Sequence, residues 1–353
     1  VSVTEGSTPA SSTASALSDA IAARFVRPRV YSQYQWVKWG AVVVIAALVP
    51  LVVKSGYDYN IAITAVLFSL LSVGFYFQFA LGGMFSFATP AYYATGAYLF
   101  AWAVPSCGFI LAFLIAAVVT AIVGGLTKLL LARSPLIHFA IATLAFGELV
   151  LIIYQNWSSF TGGGQGKFGI PSPSLFGLQI DTNTREYYLC VAVLLIATAL
   201  LIFFERSPAQ RDLVFVRDMA QVAKTSGLRA SSVQIAAFAG GAAFMGAAGA
   251  LLASTAGFVG IASFQTQDNV SIALLVLLMV LLGGVGSVWG PIIGAIVLIT
   301  LAQVLSSLQN AEELIYAIAI LVIVLALPGG ITSLPGELTK LRSKLTGGSR
   351  GTP

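Results

Sequence analysis

Ten apolar runs, several close to twenty residues long and nearly free of charge, decide what this chain can fold into. They lie at roughly 38–54, 59–79, 85–104, 107–131, 137–156, 187–204, 233–255, 269–283, 289–307 and 311–327. A helix of about 20 apolar residues crosses a hydrocarbon core of about 30 Å. A membrane strand would alternate apolar and polar residues, and these runs are continuous. A helix also satisfies its backbone groups within one segment, which lipid demands. The reading is an all-α integral membrane protein, a polytopic helical bundle of about ten transmembrane segments. Composition closes the alternatives. Of 353 residues, 58% are hydrophobic and only 9% charged, where a soluble domain carries roughly 25% charge. Disorder of the whole chain requires low hydrophobicity, and mean hydropathy here is +0.93.

Orientation follows from the basic residues. With the N-terminus inside and ten spans, fifteen of the eighteen Lys and Arg fall inside; only Lys54, Lys167 and Arg185 fall outside. The bias argues for an even number of spans and cytoplasmic termini. Eight spans with two re-entrant segments would give a similar bias. Residues 1–30 read as a disordered polar tail, 31–335 as the transmembrane domain and 336–353 as a basic cytoplasmic tail. The tail 1–30 contains no apolar run of the signal-peptide kind. Two long connections remain, 157–186 outside and 205–232 inside. The inside one has Arg211, Val214, Phe215, Asp218 and Val222 spaced as a short amphipathic helix, either an interfacial anchor or a docking element. "GGVGSVWGP" separates 269–283 from 289–307, and "ALGGMFS" separates 59–79 from 85–104. Such breaks mark discontinuous helices or tight turns at membrane depth. The two breaks echo each other: a Gly-Gly pair, then Ser86–Pro90 or Ser287–Pro291. That is either an internal repeat or the ordinary frequency of Gly, Pro and Ser in such helices.

Few residues carry chemistry. Glu148 is the one ionisable residue well inside an apolar run, and a charge there costs about 2.5–3.5 kcal/mol. It is either a polar group near a pathway or an interhelical hydrogen-bonding partner. Ser86, Thr89, Thr143, Asn156 and Thr161 are polar groups that line a wet passage or pack helices. "GGGQGKF" lacks the glycine at 161 and the Ser or Thr after Gly166–Lys167 that a phosphate loop needs. One histidine, His138, and two cysteines, Cys107 and Cys190, in apolar runs offer neither a metal set nor a nucleophile with its base. The net charge of +5 has no clustered basic face for nucleic acid.

From about Leu70 to Pro335 the chain resembles the permease subunits of high-affinity branched-chain amino acid ABC importers, the longer of their two permeases. The matching stretches are "LLGGVGSVWGPIIGAIVL" (281–298), "IATLAFGE" (141–148), "NW…TGGGQGKFGIP" (156–171), "GMFSFATPAYYATGAY" (83–98) and "SPAQRDLVFVRDMAQVAKTSGL" (207–228). It departs from that pattern at Met84, Ala88, Thr89, Ala220 and Leu275. The resemblance implies a non-catalytic multi-pass permease of a bacterial cell membrane, without a cofactor of its own. It implies a second related permease, two cytoplasmic ATPases that carry ATP and Mg, an extracytoplasmic substrate-binding protein, surrounding lipid and no nucleic acid. Arg211, Arg217, Asp218 and Val222 are expected at the ATPase. Ser86, Thr89, Thr143, Glu148 and Asn156 are expected at the pathway. Trp157, Ser159, Thr161, Gly162 and Gly163 are expected to face the binding protein. Gly283, Gly284, Gly286, Ser287, Trp289, Gly290 and Pro291 are expected to form a structural turn. A stand-alone secondary transporter or channel is the alternative, with Glu148 its one candidate ion site.

Overall fold

A computed structural model describes residues 55–132, 134, 136–175, 178–180, 182–219, 230–267, 270–305, 318 and 330–333. The segment 38–54, both tails, Val222 and all of 311–327 except residue 318 lie outside the described residues.

The first described helix, α1 (Gly56–Tyr76), starts where Ser55 Oγ accepts from the amides of Tyr57 (3.2 Å) and Asp58 (3.5 Å). This hydroxyl cap and the acidic Asp58 in the first turn both suit a helix N-terminus. From Ala65 to Tyr76 every residue is buried, so α1 is central in the bundle. It runs on into one π-helical turn, Phe77–Leu81.

Next comes α2 (Thr89–Leu130), 42 residues long and, at 1.5 Å per residue, about twice the length needed to cross a bilayer. It is two limbs. Pro105 lacks an amide hydrogen, and Gly108 adopts φ 74°, ψ 172°, a conformation open to glycine alone at little cost. Phe100 and Phe109 face each other across the reversal at 5.5 Å. The helix that follows, residues 136–156, shows the reversal: Tyr92 of the first limb meets Phe146 and Tyr98 further along meets Tyr154, whereas Lys128 at the end of the second limb lies back at Phe139. The limbs are therefore antiparallel, as expected for the separate runs 85–104 and 107–131.

The remaining helices are α3 (Leu136–Asn156), α4 (Asn183–Glu205), α5 (Pro208–Asp218), α6 (Ala230–Ala256), α7 (Ile272–Gly283) and α8 (Trp289–Leu305). α6 reads "AAFAGGAAFMGAAGALLAS", and its small residues let backbones meet. A Cβ on Gly249 would lie 2.0 Å from Tyr93 O, and one on Gly246 2.5 Å from Thr120. α1 and α4 run parallel: Thr184 donates to the Tyr59 hydroxyl (3.1 Å) at one end, and Tyr76 donates to Glu205 (3.1 Å) at the other. α3 rests on α2 through Lys128, whose ammonium lies 4.6 Å above the Phe139 ring, and through the Thr95–Tyr154 hydroxyl pair at 3.0 Å. α7 and α8 form a hairpin in which Gly283 abuts Gly290 and Met279 abuts Gly294.

Five helices among the described residues are long and apolar enough to cross a membrane: α1 with its π turn, α2, α3, α4 and α6. α7 and α8 are shorter. Two details depart from expectation. The run expected at 269–283 is helical only from Ile272, because Val270–Ser271 pairs with Thr266–Gln267 as a short hairpin. And the all-α reading leaves out short strand pairings in the connections. Lys167–Phe168 pairs antiparallel with Phe258–Val259, and Ser174–Leu175 with Leu178–Gln179.

Candidate functional site

The connection that follows α4 builds a corner around the end of α1. Ser207 Oγ donates to Phe204 O (2.7 Å), and Pro208 opens α5 where a missing amide hydrogen is harmless. Leu213 and Val216, three residues apart, are the buried face of α5. The helix packs against α6 and the π turn. Val214 and Phe215, expected on that face, are only half-buried. The difference is one of register: a three-residue step places Leu213 and Val216 one above the other on the helix. Arg211 is exposed. Arg217 is exposed too, yet its guanidinium reaches back to the membrane helices. Its Nη1 donates to Ala80 O of the π turn, and its Nε donates to Asp218 Oδ1 at 2.7 Å. Its side chain covers Gly83, where a Cβ would lie 2.3 Å from Arg217 Cγ and where φ is +66°. This helix ends at Asp218, and Val222 lies outside the described residues. Ala80, Gln78 and Gly83 are functional candidates that sequence reasoning missed; the Gly82–Gly83 pair was their one visible signal.

The loop 82–88 follows. Ser86 Oγ accepts from Ala88 N (3.2 Å), which turns the chain into α2. Thr143 Oγ1 donates to Ala140 O (2.8 Å) and accepts from Phe87 N (3.1 Å), tying the loop to α3. A Cβ on Gly147 would sit 3.4 Å from Phe87 O, so the loop also presses on the next turn of α3. Ser86 and Thr143 are therefore buried braces of the loop, and Thr89 is buried beside it at the start of α2. Thr89 Oγ1 has no hydrogen-bond partner among the described residues. Glu148 and Asn156 are not part of this group. Both are exposed on α3, together with His138, Ile141, Ala145 and Ile152. Asn156 Nδ2 donates to Ile152 O (2.8 Å).

On the far side, 157–171 folds against 257–260. Thr161 is fully buried; its Oγ1 donates to Tyr154 O (2.5 Å) or Trp157 O (2.8 Å) and accepts from Gly163 N (3.1 Å). Gly162 has φ +78°, and its Cβ would lie 2.1 Å from Gly166 O. Gly163 is buried as well. Thr161, Gly162 and Gly163 thus shape the loop from within, whereas Trp157 and Ser159 are exposed. Partial desolvation holds the Lys167 ammonium below the usual lysine range.

The turn at 283–291 matches the loop at 82–90 in detail. Gly284 has φ +101°, Ser287 Oγ accepts from Trp289 N (3.3 Å), and Pro291 lies in the first turn of α8. Thr332 Oγ1 donates to Gly283 O (2.9 Å). Gly290 touches the backbone of Gly283 and Gly284, while Gly286 faces open space. Leu275, Met84 and Ala88 are buried. Among the described residues no three His, Cys, Asp or Glu side chains gather as a metal site, and Cys107 and Cys190 are unpaired with each other.

Comparisons with known proteins agree on one relationship. Residues 59–327 match the family model described as branched-chain amino acid transport system / permease component. The high-affinity branched-chain amino acid transport system permease protein LivM of Salmonella typhimurium is 29% identical over 328 residues, covering 86% of this chain and 76% of its own. The protein of the same name from Escherichia coli is 28% identical over the same shares. No solved structure matches the chain. With its multi-pass helical architecture and a family match over most of its length, the chain belongs to the branched-chain amino acid transport system permease family, a transmembrane transport component rather than an enzyme.

Proposed function

We propose that the chain is one of two related permeases of an ABC importer in a bacterial inner membrane, with branched-chain amino acids as its cargo. The support for the cargo is the family and the two curated relatives. ATP and Mg belong to the two cytoplasmic ATPases, and an extracytoplasmic binding protein delivers the solute. Both termini then lie inside, as the basic residues argue.

One observation carries the pathway. Glu148 sits mid-helix on α3, exposed, with no hydrogen bond or ion pair among the described residues. Left against lipid, its carboxylate would cost about 2.5–3.5 kcal/mol. A second permease or the wet passage between the two removes that cost, so this α3 face lines the passage. Ser86 and Thr143 hold the loop behind it. On the cytoplasmic side Arg211 of α5 is available to an ATPase, and outside Trp157 and Ser159 are available to the binding protein.

The test is reconstitution. The tagged chain, co-expressed with its neighbouring subunits, should retain an ATPase subunit on purification. In proteoliposomes it should take up radiolabelled leucine only with ATP and loaded binding protein. Leucine uptake by the isolated chain, driven by an ion gradient without ATP, would overturn the proposal in favour of a secondary transporter.

A further inference from the structure

We propose that Arg217 is a positioning residue that carries movement of α5 into the membrane helices. It does so by clasping the end of α1, and not by touching the ATPase. This rests on the permease reading above.

The last carbonyls of any helix lack intrahelical partners, and an arginine near that negative end is favoured both as donor and as charge. Ala80 O is such a carbonyl, and it receives the Arg217 guanidinium from another helix. Asp218 holds the guanidinium by a second edge, Nε to Oδ1 at 2.7 Å and Nη2 to Oδ2 at 3.3 Å. The connection that leads into α5 grips the same place from its other end. Glu205 accepts from the Tyr76 hydroxyl at 3.1 Å, and Phe204 meets Phe77 edge-to-face at 4.7 Å. The corner formed by α4 and α5 thus brackets the π turn on both sides.

That turn is suited to change. A π turn carries one residue more than an α turn and often sits at functional positions. Inside it Gln78 is fully buried; its Nε2 donates to Phe238 O (3.0 Å), yet its Oε1 has no partner among the described residues. A buried acceptor left open in one arrangement is a group that another arrangement can satisfy.

Downstream the link continues through packed atoms. Arg217 covers Gly83, and Phe79 and Phe85 pack at 5.5 Å. Phe87 then donates its amide to Thr143, and its carbonyl borders Gly147. The residue after Gly147 is Glu148, on the proposed passage face. Moving α5 relative to α1 therefore pulls on the loop that sets the rotation and height of α3.

An intrachain cross-link and a transport assay test this separately. An ideal Cβ on Gly83 would lie 3.4 Å from Arg217 Cβ, close to the span of a disulfide. In a chain whose native cysteines are replaced, Gly83→Cys with Arg217→Cys should cross-link on oxidation in resting membranes. This readout needs neither substrate nor ATPase, so its failure is distinct from failure of the transport reading. In the assembled importer, Arg217→Ala should keep its ATPase subunit. It should lose binding-protein-stimulated ATP hydrolysis by about tenfold or more, the scale of one charge-assisted hydrogen bond. Arg217→Lys, which still donates to Ala80 O, should recover part of the stimulation. Absence of the cross-link, release of the ATPase subunit by Arg217→Ala, or unchanged stimulation would each overturn the proposal.

Discussion

Replacing Gly96 by alanine tests how closely α2 and α6 approach, because two effects of opposite sign compete there. Alanine in a helix interior is favoured over glycine by roughly 0.5–1 kcal/mol. Against that, the new Cβ would stand 2.0 Å from Gly246 O and 2.5 Å from Gly246 Cα. Ordinary contact begins near 3.4 Å, so the helices must part locally by about 1.4 Å. The obstructing atoms are backbone, with no flexible side chain to swing aside. Overpacking of this kind costs about 1–3 kcal/mol, and a radial gap of ~1 Å forfeits about half of each dispersion contact nearby. Because α6 carries both limbs of α2, the first limb cannot move off it without disturbing the second. The clash therefore wins, with a net loss of about 1–2 kcal/mol. By the scaling for soluble domains of 150–250 residues, that lowers Tm by roughly 2–8 °C. The assay is thermal unfolding of the purified chain in detergent. Gly164→Ala serves as control, since nothing lies within 4 Å of its Cβ. A Gly96→Ala protein that melts at or above the wild-type temperature would show that helix propensity dominates, and would refute this close approach.

Other substitutions probe the remaining parts. Thr161→Val removes a buried hydroxyl with three hydrogen-bond partners; about 1–3 kcal/mol of local stability is lost, read as faster proteolysis within 157–171. Gly283→Ala places a Cβ 1.8 Å from Gly290 O and should abolish accumulation of folded protein, whereas Gly286→Ala meets open space and should leave the yield unchanged. Glu148→Leu should melt like wild type, because the side chain is exposed in the single chain, yet lose leucine uptake in the assembled importer. Wild-type uptake in that variant would place the α3 face against lipid.

What sequence alone makes legible here is whatever water or lipid decides residue by residue. The runs 137–156 and 233–255 became Leu136–Asn156 and Ala230–Ala256 because charge and hydrogen-bonding capacity bound them on both sides. The reversal at Pro105–Gly108 was readable for the same local reason: one residue lacks an amide hydrogen, and the other accepts a positive φ. What stayed hidden depends on neighbours far along the chain. Thr161 and Gly163 look like any polar loop until Tyr154 O and Val259, reached through Gly166, close around the loop. The hairpin at 266–271 takes residues from an apolar run that has no local mark of a strand.

Arg217 shows the limit most clearly. Read by polarity, an arginine near the end of an amphipathic helix belongs in the cytosol, facing a partner. Two absences elsewhere redirect it. The end of α1 leaves Ala80 O without an intrahelical partner, and Gly83 has no side chain where the arginine stem must lie. Neither absence carries a signal at position 217. Where such a guanidinium turns is set by the acceptors that other elements leave unpaired, and those exist only once the helices are placed together.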